Sequence, residues 1–144
     1  MKWPVIAVAA AALSACRLSG DSACFVHAGE PLVTLELVAD SASGVAVPVV
    51  FISNVHIGGL RFQPSALVDP QRAPVRQATV EGDAVRCVVS CGFGSNEGSY
   101  ELTITAPGYR PRTLTFAANY TTLDSGCPRL QRDGFKLSTT LARL

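Results

Sequence analysis

Residues 99–118 read Ser99-Tyr100-Glu101-Leu102-Thr103-Ile104-Thr105-Ala106-Pro107-Gly108-Tyr109-Arg110-Pro111-Arg112-Thr113-Leu114-Thr115-Phe116-Ala117-Ala118. In the first half Tyr100, Leu102, Ile104 and Ala106 alternate with Glu101, Thr103 and Thr105. In the second half Leu114 and Phe116 alternate with Thr113 and Thr115. A period of two puts one set on each face of an extended chain, so both halves read as strands with an apolar face and a polar face. Pro107-Gly108 suits the two central positions of a type II turn, where proline presets φ and glycine accepts a positive φ. The stretch is thus a hairpin that buries Leu102, Ile104, Leu114 and Phe116. A slip of one residue would reverse every side chain, so its register is strongly specified.

The same pattern recurs on either side. Val33, Leu35 and Leu37 alternate with Thr34 and Glu36 ahead of a turn at Asp40-Ser41-Ala42-Ser43-Gly44. Val45 to Ser53 is a nearly continuous β-branched and aromatic run, with Val47, Val49 and Phe51 on one face and Val50 and Ile52 on the other. Pro48 marks it as an edge or bulged strand. Gly58-Gly59 opens a short piece, Leu60 to Phe62, and Gln63 to Pro74, with three prolines, reads as a loop. Gln77–Val80 and Ala84–Ser90 face each other across Glu81-Gly82-Asp83. Phe135, Leu137, Thr139 and Leu141 alternate with Lys136, Ser138 and Thr140 near the end of the chain. Seven or eight short strands with regular turns predict an all-β fold, a small antiparallel β-sandwich. The 144 residues leave room for one such domain.

Charged residues make up 16% of the chain and apolar ones 48%, a balance that argues against disorder. The formal net charge is +1, and near zero without Lys2, so nothing electrostatic points to nucleic acid as a partner.

Residues 1–16 carry an address. Lys2 supplies a positive start, and Val5 to Leu13 form an apolar segment too short to span a bilayer as a stable helix. Leu13-Ser14-Ala15-Cys16 then resembles the bacterial lipobox at every position. A thiol is needed at that cut site because the Cys16 sulfur takes a diacylglycerol and the freed amino group takes a further acyl chain. Small Ser14 and Ala15 let a peptidase reach the bond. This reading divides the chain into a lipoprotein signal peptide (1–15), a lipidated Cys16 with its tether (16–31) and a β domain (32–144). Each buried CH₂ of the lipid contributes about 0.8 kcal/mol, so several chains on one residue anchor stably. Among such lipoproteins, Arg17 in place of Asp after the lipidated cysteine favours the outer membrane.

Four further cysteines, Cys24, Cys87, Cys91 and Cys127, read as two disulfides in an exported chain. On a regular strand Cys87 and Cys91 would lie roughly 13 Å apart. A disulfide needs Cα atoms within about 7 Å. The two are therefore not expected to bridge each other, which leaves Cys24–Cys87 with Cys91–Cys127, the favoured pairing, or Cys24–Cys91 with Cys87–Cys127. A metal site built from Cys87, Cys91, Cys127 and His56 is the competing reading, disfavoured because structural zinc prefers tighter Cys-x-x-Cys pairs.

Two segments carry a family resemblance. Asp40-Ser41-Ala42-Ser43-Gly44-Val45-Ala46-Val47-Pro48 resembles the turn and opening strand of carboxypeptidase-regulatory-like domains. Gly98 to Tyr109 resembles their G-x-Y-x-L-x-V-x-A-x-G-Y hairpin, and Phe135 to Leu144 matches their terminal apolar strand. The resemblance spans roughly residues 32–144 and implies a transthyretin-like β-sandwich without catalytic residues of its own.

No motif points to catalysis, a cofactor or a metal. His27 and His56 lack metal-type spacing and read as loop residues, and no Gly-x-Ser-x-Gly elbow occurs. Gly92-Phe93-Gly94-Ser95 is glycine-rich, but no helix follows it to bind phosphate, so it reads as a loop. Glu97 and Glu101 form a conceivable carboxylate pair, yet Glu101 belongs to the solvated face of its strand. Asn119-Tyr120-Thr121 matches a glycosylation sequon that has little meaning in a bacterium. The expected role is a non-catalytic envelope module that binds an unidentified protein or serves structurally, by sheet-edge addition. The alternative is a carbohydrate-binding module using Tyr109, Tyr120 and Phe93 as aromatic platforms, since the lone Trp3 leaves with the signal peptide.

Overall fold

A computed structural model of the chain describes residues 27–72, 74–123 and 130–144. The fold is all-β. Its elements are β1 (His27–Ala28), β2 (Val33–Asp40), β3 (Val49–Ile57), β4 (Leu60–Arg61), α1 (Pro64–Leu67), β5 (Arg76–Glu81), β6 (Ala84–Phe93), β7 (Gly98–Thr105), β8 (Arg112–Ala118), β9 (Thr122–Leu123), β10 (Leu130–Arg132) and β11 (Phe135–Leu141). Eight of the strands form one sheet in the order β11-β2-β6-β3-β7-β8, with β4 added to β3 and β5 to β6. The short strands β1, β10 and β9 form a second, small sheet.

The large sheet turns a corner within β6. Val85 to Val88 pair with β3. Further along, Cys91 to Phe93 pair with Leu35 to Val33 of β2. The same change shows against β5, where Ala78 faces Cys87 but Arg76 faces Gly92. Residues are thus looped out around Val88–Ser90, and burial stops alternating there: Ser90 is exposed while Cys91, Gly92 and Phe93 are all buried. Strands that leave one sheet for another commonly do so through such bulges. Pro31 closes over this corner, and a Cβ at residue 92 would collide with its ring, so glycine is required.

The corner overturns the expected disulfide pairing. Cys87 and Cys91 are joined to each other, with Cα atoms 5.6 Å apart. The 13 Å expected of a regular strand fails because the bulge draws its two flanks together. Gly92 and Phe93 likewise belong to β6 rather than to a loop.

Other elements follow the sequence pattern, except that Leu37, expected on the apolar face with Val33 and Leu35, is exposed where the register of β2 against β11 shifts. The 99–118 hairpin pairs Tyr100 with Phe116, Leu102 with Leu114 and Ile104 with Arg112. Tyr109 N–H donates to Ala106 O at 3.0 Å across Pro107-Gly108, and Gly108 has a φ of 83°. Tyr100, Leu102 and Ile104 are buried and Glu101 is exposed. The second hairpin forms between β5 and β6, Glu81 facing Ala84. Three expectations change. β3 starts at Val49, after Pro48, and is central, flanked by β6 and β7. The proline-rich stretch holds the short helix α1. The sheet is antiparallel except for β2 and β11, which run parallel. Paired structure also begins within the stretch assigned to the tether, since β1 pairs with β10.

Three contacts close the fold between β8 and β11. At one end Phe116 stacks on Tyr100, centroids 5.4 Å apart, and on Phe135 of β11 at 4.6 Å. In the middle Arg112 Nη1 donates to Thr140 O at 2.8 Å. At the other end Tyr109 bridges to Arg143. The core between the layers gathers Leu32, Val33, Leu35 and Val38 from one side with Val50, Ile52, Val85, Leu102 and Ile104 from the other.

Phe116 is half-buried within this stack, while its neighbour Thr115 is exposed. Phe116→Ala is expected to cost about 2–4 kcal/mol through lost packing, a cavity and two ring contacts. Thr115→Ala should cost less than about 1 kcal/mol. Urea melts of the two variants check the comparison, and a larger loss for Thr115→Ala would refute the strand register.

Candidate functional site

Cross-strand register builds a polar row on the outer face of β4, β3, β7 and β8. His56 of β3 faces Arg61 of β4 on one side and Glu101 of β7 on the other. Glu101 in turn faces Thr115 of β8. Residues opposite one another share a face, so Arg61, His56, Glu101 and Thr115 form one line across four strands. The adjacent row holds Ser53, Thr103 and Thr113, with the two threonine hydroxyls 3.2 Å apart.

A cavity of about 490 Å³ opens on this row. His56, Gly59, Ser99, Glu101 and Thr115 line it, with Tyr100 and Phe116 between them. That volume falls in the range of small-ligand sites. His56 Nδ1 lies 3.0 Å from Asn54 O. A carbonyl only accepts, so Nδ1 donates to it, and in the Nδ1–H tautomer Nε2 is an acceptor. Among the described residues Glu101 has no ion-pair partner. The groove therefore offers two acceptors and two hydroxyls, which suits a ligand rich in O–H or N–H donors.

Asp40 is the other concentration of charge, and its chemistry is structural. The carboxylate is 2% exposed. Oδ1 accepts from the Ala42 and Ser43 amides at 2.9 and 3.0 Å, fixing the turn after β2. Oδ2 accepts from Arg143 Nε at 2.5 Å and Tyr109 Oη at 3.2 Å. The Arg143 guanidinium, then the Ser43 and Ala42 amides and the Tyr109 hydroxyl, hold this carboxyl well below the usual range against the opposing effect of burial. All four donors are spent on one buried anion, as buried charges require.

The structure separates the remaining candidates. Cys16, Cys24 and Cys127 lie outside the described residues. Cys87 and Cys91 are buried and bonded to each other, so they cannot serve as thiolate ligands. No three His, Cys, Asp or Glu side chains among the described residues come together as metal ligands. His27 belongs to β1 and His56 to β3, so both are strand residues rather than loop residues. Glu97 lies between β6 and β7 and faces Tyr120, whose hydroxyl burial pushes up to about 12, with help from Glu97 and Glu30. Glu101 points elsewhere, into the groove.

The three aromatic platforms are also corrected. Phe93 is fully buried. Tyr120 is buried with its hydroxyl on Glu30 O at 2.9 Å. Tyr109 lies under the Arg143 guanidinium, 5.9 Å from its ring centre. Each ring is spent on packing or a clasp. Alternation in the hairpin marks Ser99, Glu101 and Thr115 as outward-facing, but their meeting with His56 depends on a pairing between strands far apart in sequence.

Comparison with protein-family models, curated proteins and solved structures finds no match for this chain. No helix among the described residues is long and apolar enough to cross a membrane.

The Asp40 clasp has a pH signature. A carboxyl whose pKa is depressed on folding adds stability that is fully present above its unfolded value, about 3.9, and is lost as pH falls through the folded value. The urea midpoint of the wild type should therefore decline as pH drops from about 4 toward 2. Asp40→Asn should lower the midpoint at pH 7 and flatten this acid decline. Equal acid slopes for the two proteins would show that the clasp contributes nothing to the pH dependence.

Proposed function

We propose that this chain is a membrane-anchored lipoprotein of the bacterial outer membrane whose β domain, carboxypeptidase-regulatory-like in character, is a non-catalytic binding module for an envelope partner. The anchor rests on Leu13-Ser14-Ala15-Cys16 behind an apolar segment. The binding role rests on one observation: β5 is paired with β6 on one side only, and no described strand pairs with its other side. Ala78 to Glu81 thus present backbone donors and acceptors to an incoming strand, beside the exposed Val80. An extended segment of a partner protein gains main-chain hydrogen bonds there, and its alternate side chains meet Val80. The bulge at Gln77, between Arg76 and Ala78, limits the open edge to these few residues.

The groove favours a second reading, a carbohydrate-binding module. Acceptors on His56 and Glu101 beside the Ser99 and Thr115 hydroxyls match the donors and acceptors of a sugar ring.

Labelled palmitate fed to the native host is expected to enter the protein, and Cys16→Ala should abolish the label. Persistent labelling of Cys16→Ala would end the lipoprotein reading.

For the binding role, a photo-crosslinking residue placed at Val80 in the host should yield a discrete protein adduct, and one at Thr103 should not. Absence of an adduct at Val80 overturns strand addition. Under the second reading, soluble oligosaccharides bind in calorimetric titration and Glu101→Gln weakens them tenfold or more, since a hydrogen bond to a charged group contributes about 1.5–3 kcal/mol.

A further inference from the structure

The geometry points to a zinc site in the groove, where His56 Nε2 and the Glu101 carboxylate hold the ion and water fills its remaining positions. The site begins with an irregularity in β3. Its pairing with β7 shifts between Ser53, which faces Thr103, and His56, which faces Glu101, so β3 carries one extra residue there. Asn54, inside that shift, has a φ of 50°. Bulges of this kind commonly re-aim a side chain. Here the Asn54 carbonyl oxygen lies 3.0 Å from His56 Nδ1. Zinc-bound histidines are oriented by just such an outer contact, the second ring nitrogen donating to a backbone carbonyl. With Nδ1 protonated, Nε2 holds the free lone pair.

The direction of that lone pair follows from the neighbours of the ring. Asn54 lies on the Thr103 side of His56, while Gly59 and Ser99, which line the groove with it, lie on the other side. Nε2 is across the ring from Nδ1 and so turns toward the groove.

Glu101 supplies the second ligand. It stands directly opposite His56, on the same face of the sheet. Opposed Cβ atoms lie about 4.5–5.5 Å apart. A nitrogen and an oxygen each about 2.1 Å from one ion can meet across that gap. Glu101 is exposed and has no ion-pair partner among the described residues, so its charge is available to a cation. Arg61 faces His56 from β4, on the side away from Glu101, and does not line the groove. Imidazole with carboxylate is a donor pair that suits zinc. The Ser99 and Thr115 hydroxyls line the same cavity of about 490 Å³, placed to hydrogen-bond the waters that complete a tetrahedron. Such a site needs neither strand addition at β5 nor a sugar, so it stands or falls apart from both readings of function.

Calorimetric titration of zinc chloride into the full chain tests the site. The protein is exported by its host and kept in detergent, with free thiols alkylated beforehand so that cysteines do not compete. The expected result is one ion per chain. His56→Ala and Glu101→Gln should each weaken binding tenfold or more, and Thr103→Ala should leave it unchanged. Absence of saturable binding would overturn the site, as would unchanged affinity in either His56→Ala or Glu101→Gln.

Should either of those variants fail to fold, the imidazole resonances of the unmutated chain decide. The chain has two histidines, His27 and His56, and His27→Asn assigns their signals. Zinc is expected to move the Nε2 resonance of His56 and to leave His27 in place. A His56 signal that stays where it is on saturation with zinc would overturn the assignment, whatever His27 does.

Discussion

The corner in β6 is the constraint on which the rest of the structure depends. One strand serves β3 with its first half and β2 with its second. Were it straight, its second half would run on past the start of β3 at Val49, and β2 with β11 would have no place opposite the β3-β7-β8 layer. The looped-out residues at Val88–Ser90 let the chain change layers, and the Cys87–Cys91 bond holds the two flanks together. A short covalent loop does little to restrict the unfolded chain, because closure entropy grows with loop length. Its effect is local: it fixes the bend at the point where the sheet must fold over.

Once the corner is set, the far ends of the sheet meet through a single backbone bridge, Tyr109 opposite Arg143, with Arg110 N–H donating to Ala142 O and Leu144 N–H to Gly108 O. Three side-chain contacts add to it: the Phe116–Phe135 stack, the Arg112–Thr140 hydrogen bonds and the Asp40–Arg143–Tyr109 clasp. Aromatic stacking and a buried anion with a full set of donors both tolerate little misalignment. They therefore align the two layers as firmly as a few backbone hydrogen bonds would. The clasp also joins three separate parts of the chain: the end of β2, the β7–β8 connection and the residues after β11.

This arrangement leaves two surfaces unspent. On the outer face of β3, β7 and β8 the Glu101 carboxylate has no ion-pair partner among the described residues, and no described strand pairs with the outer edge of β5. The rings of Phe93, Tyr120 and Tyr109 are drawn into the core or the clasp instead.

Local pattern was legible in the sequence wherever alternation and turn chemistry acted alone. The 99–118 hairpin, its Pro107-Gly108 turn, its buried Tyr100, Leu102 and Ile104, the 77–90 hairpin and the all-β class all follow from a period of two interrupted by residues that accept positive φ. What only the tertiary structure decided involves residues distant in sequence or irregular in backbone. The Cys87–Cys91 bond depends on a bulge that no alternation announces, and the parallel β2–β11 pair joins segments about a hundred residues apart. Asp40 read as a turn residue, but its charge is settled by Arg143 and Tyr109 from elsewhere in the chain. The groove needs His56 and Glu101 brought side by side across two strands. Periodicity specifies which face a side chain takes, because that is a property of consecutive residues. Which strands then become neighbours is decided by the packing of the whole core.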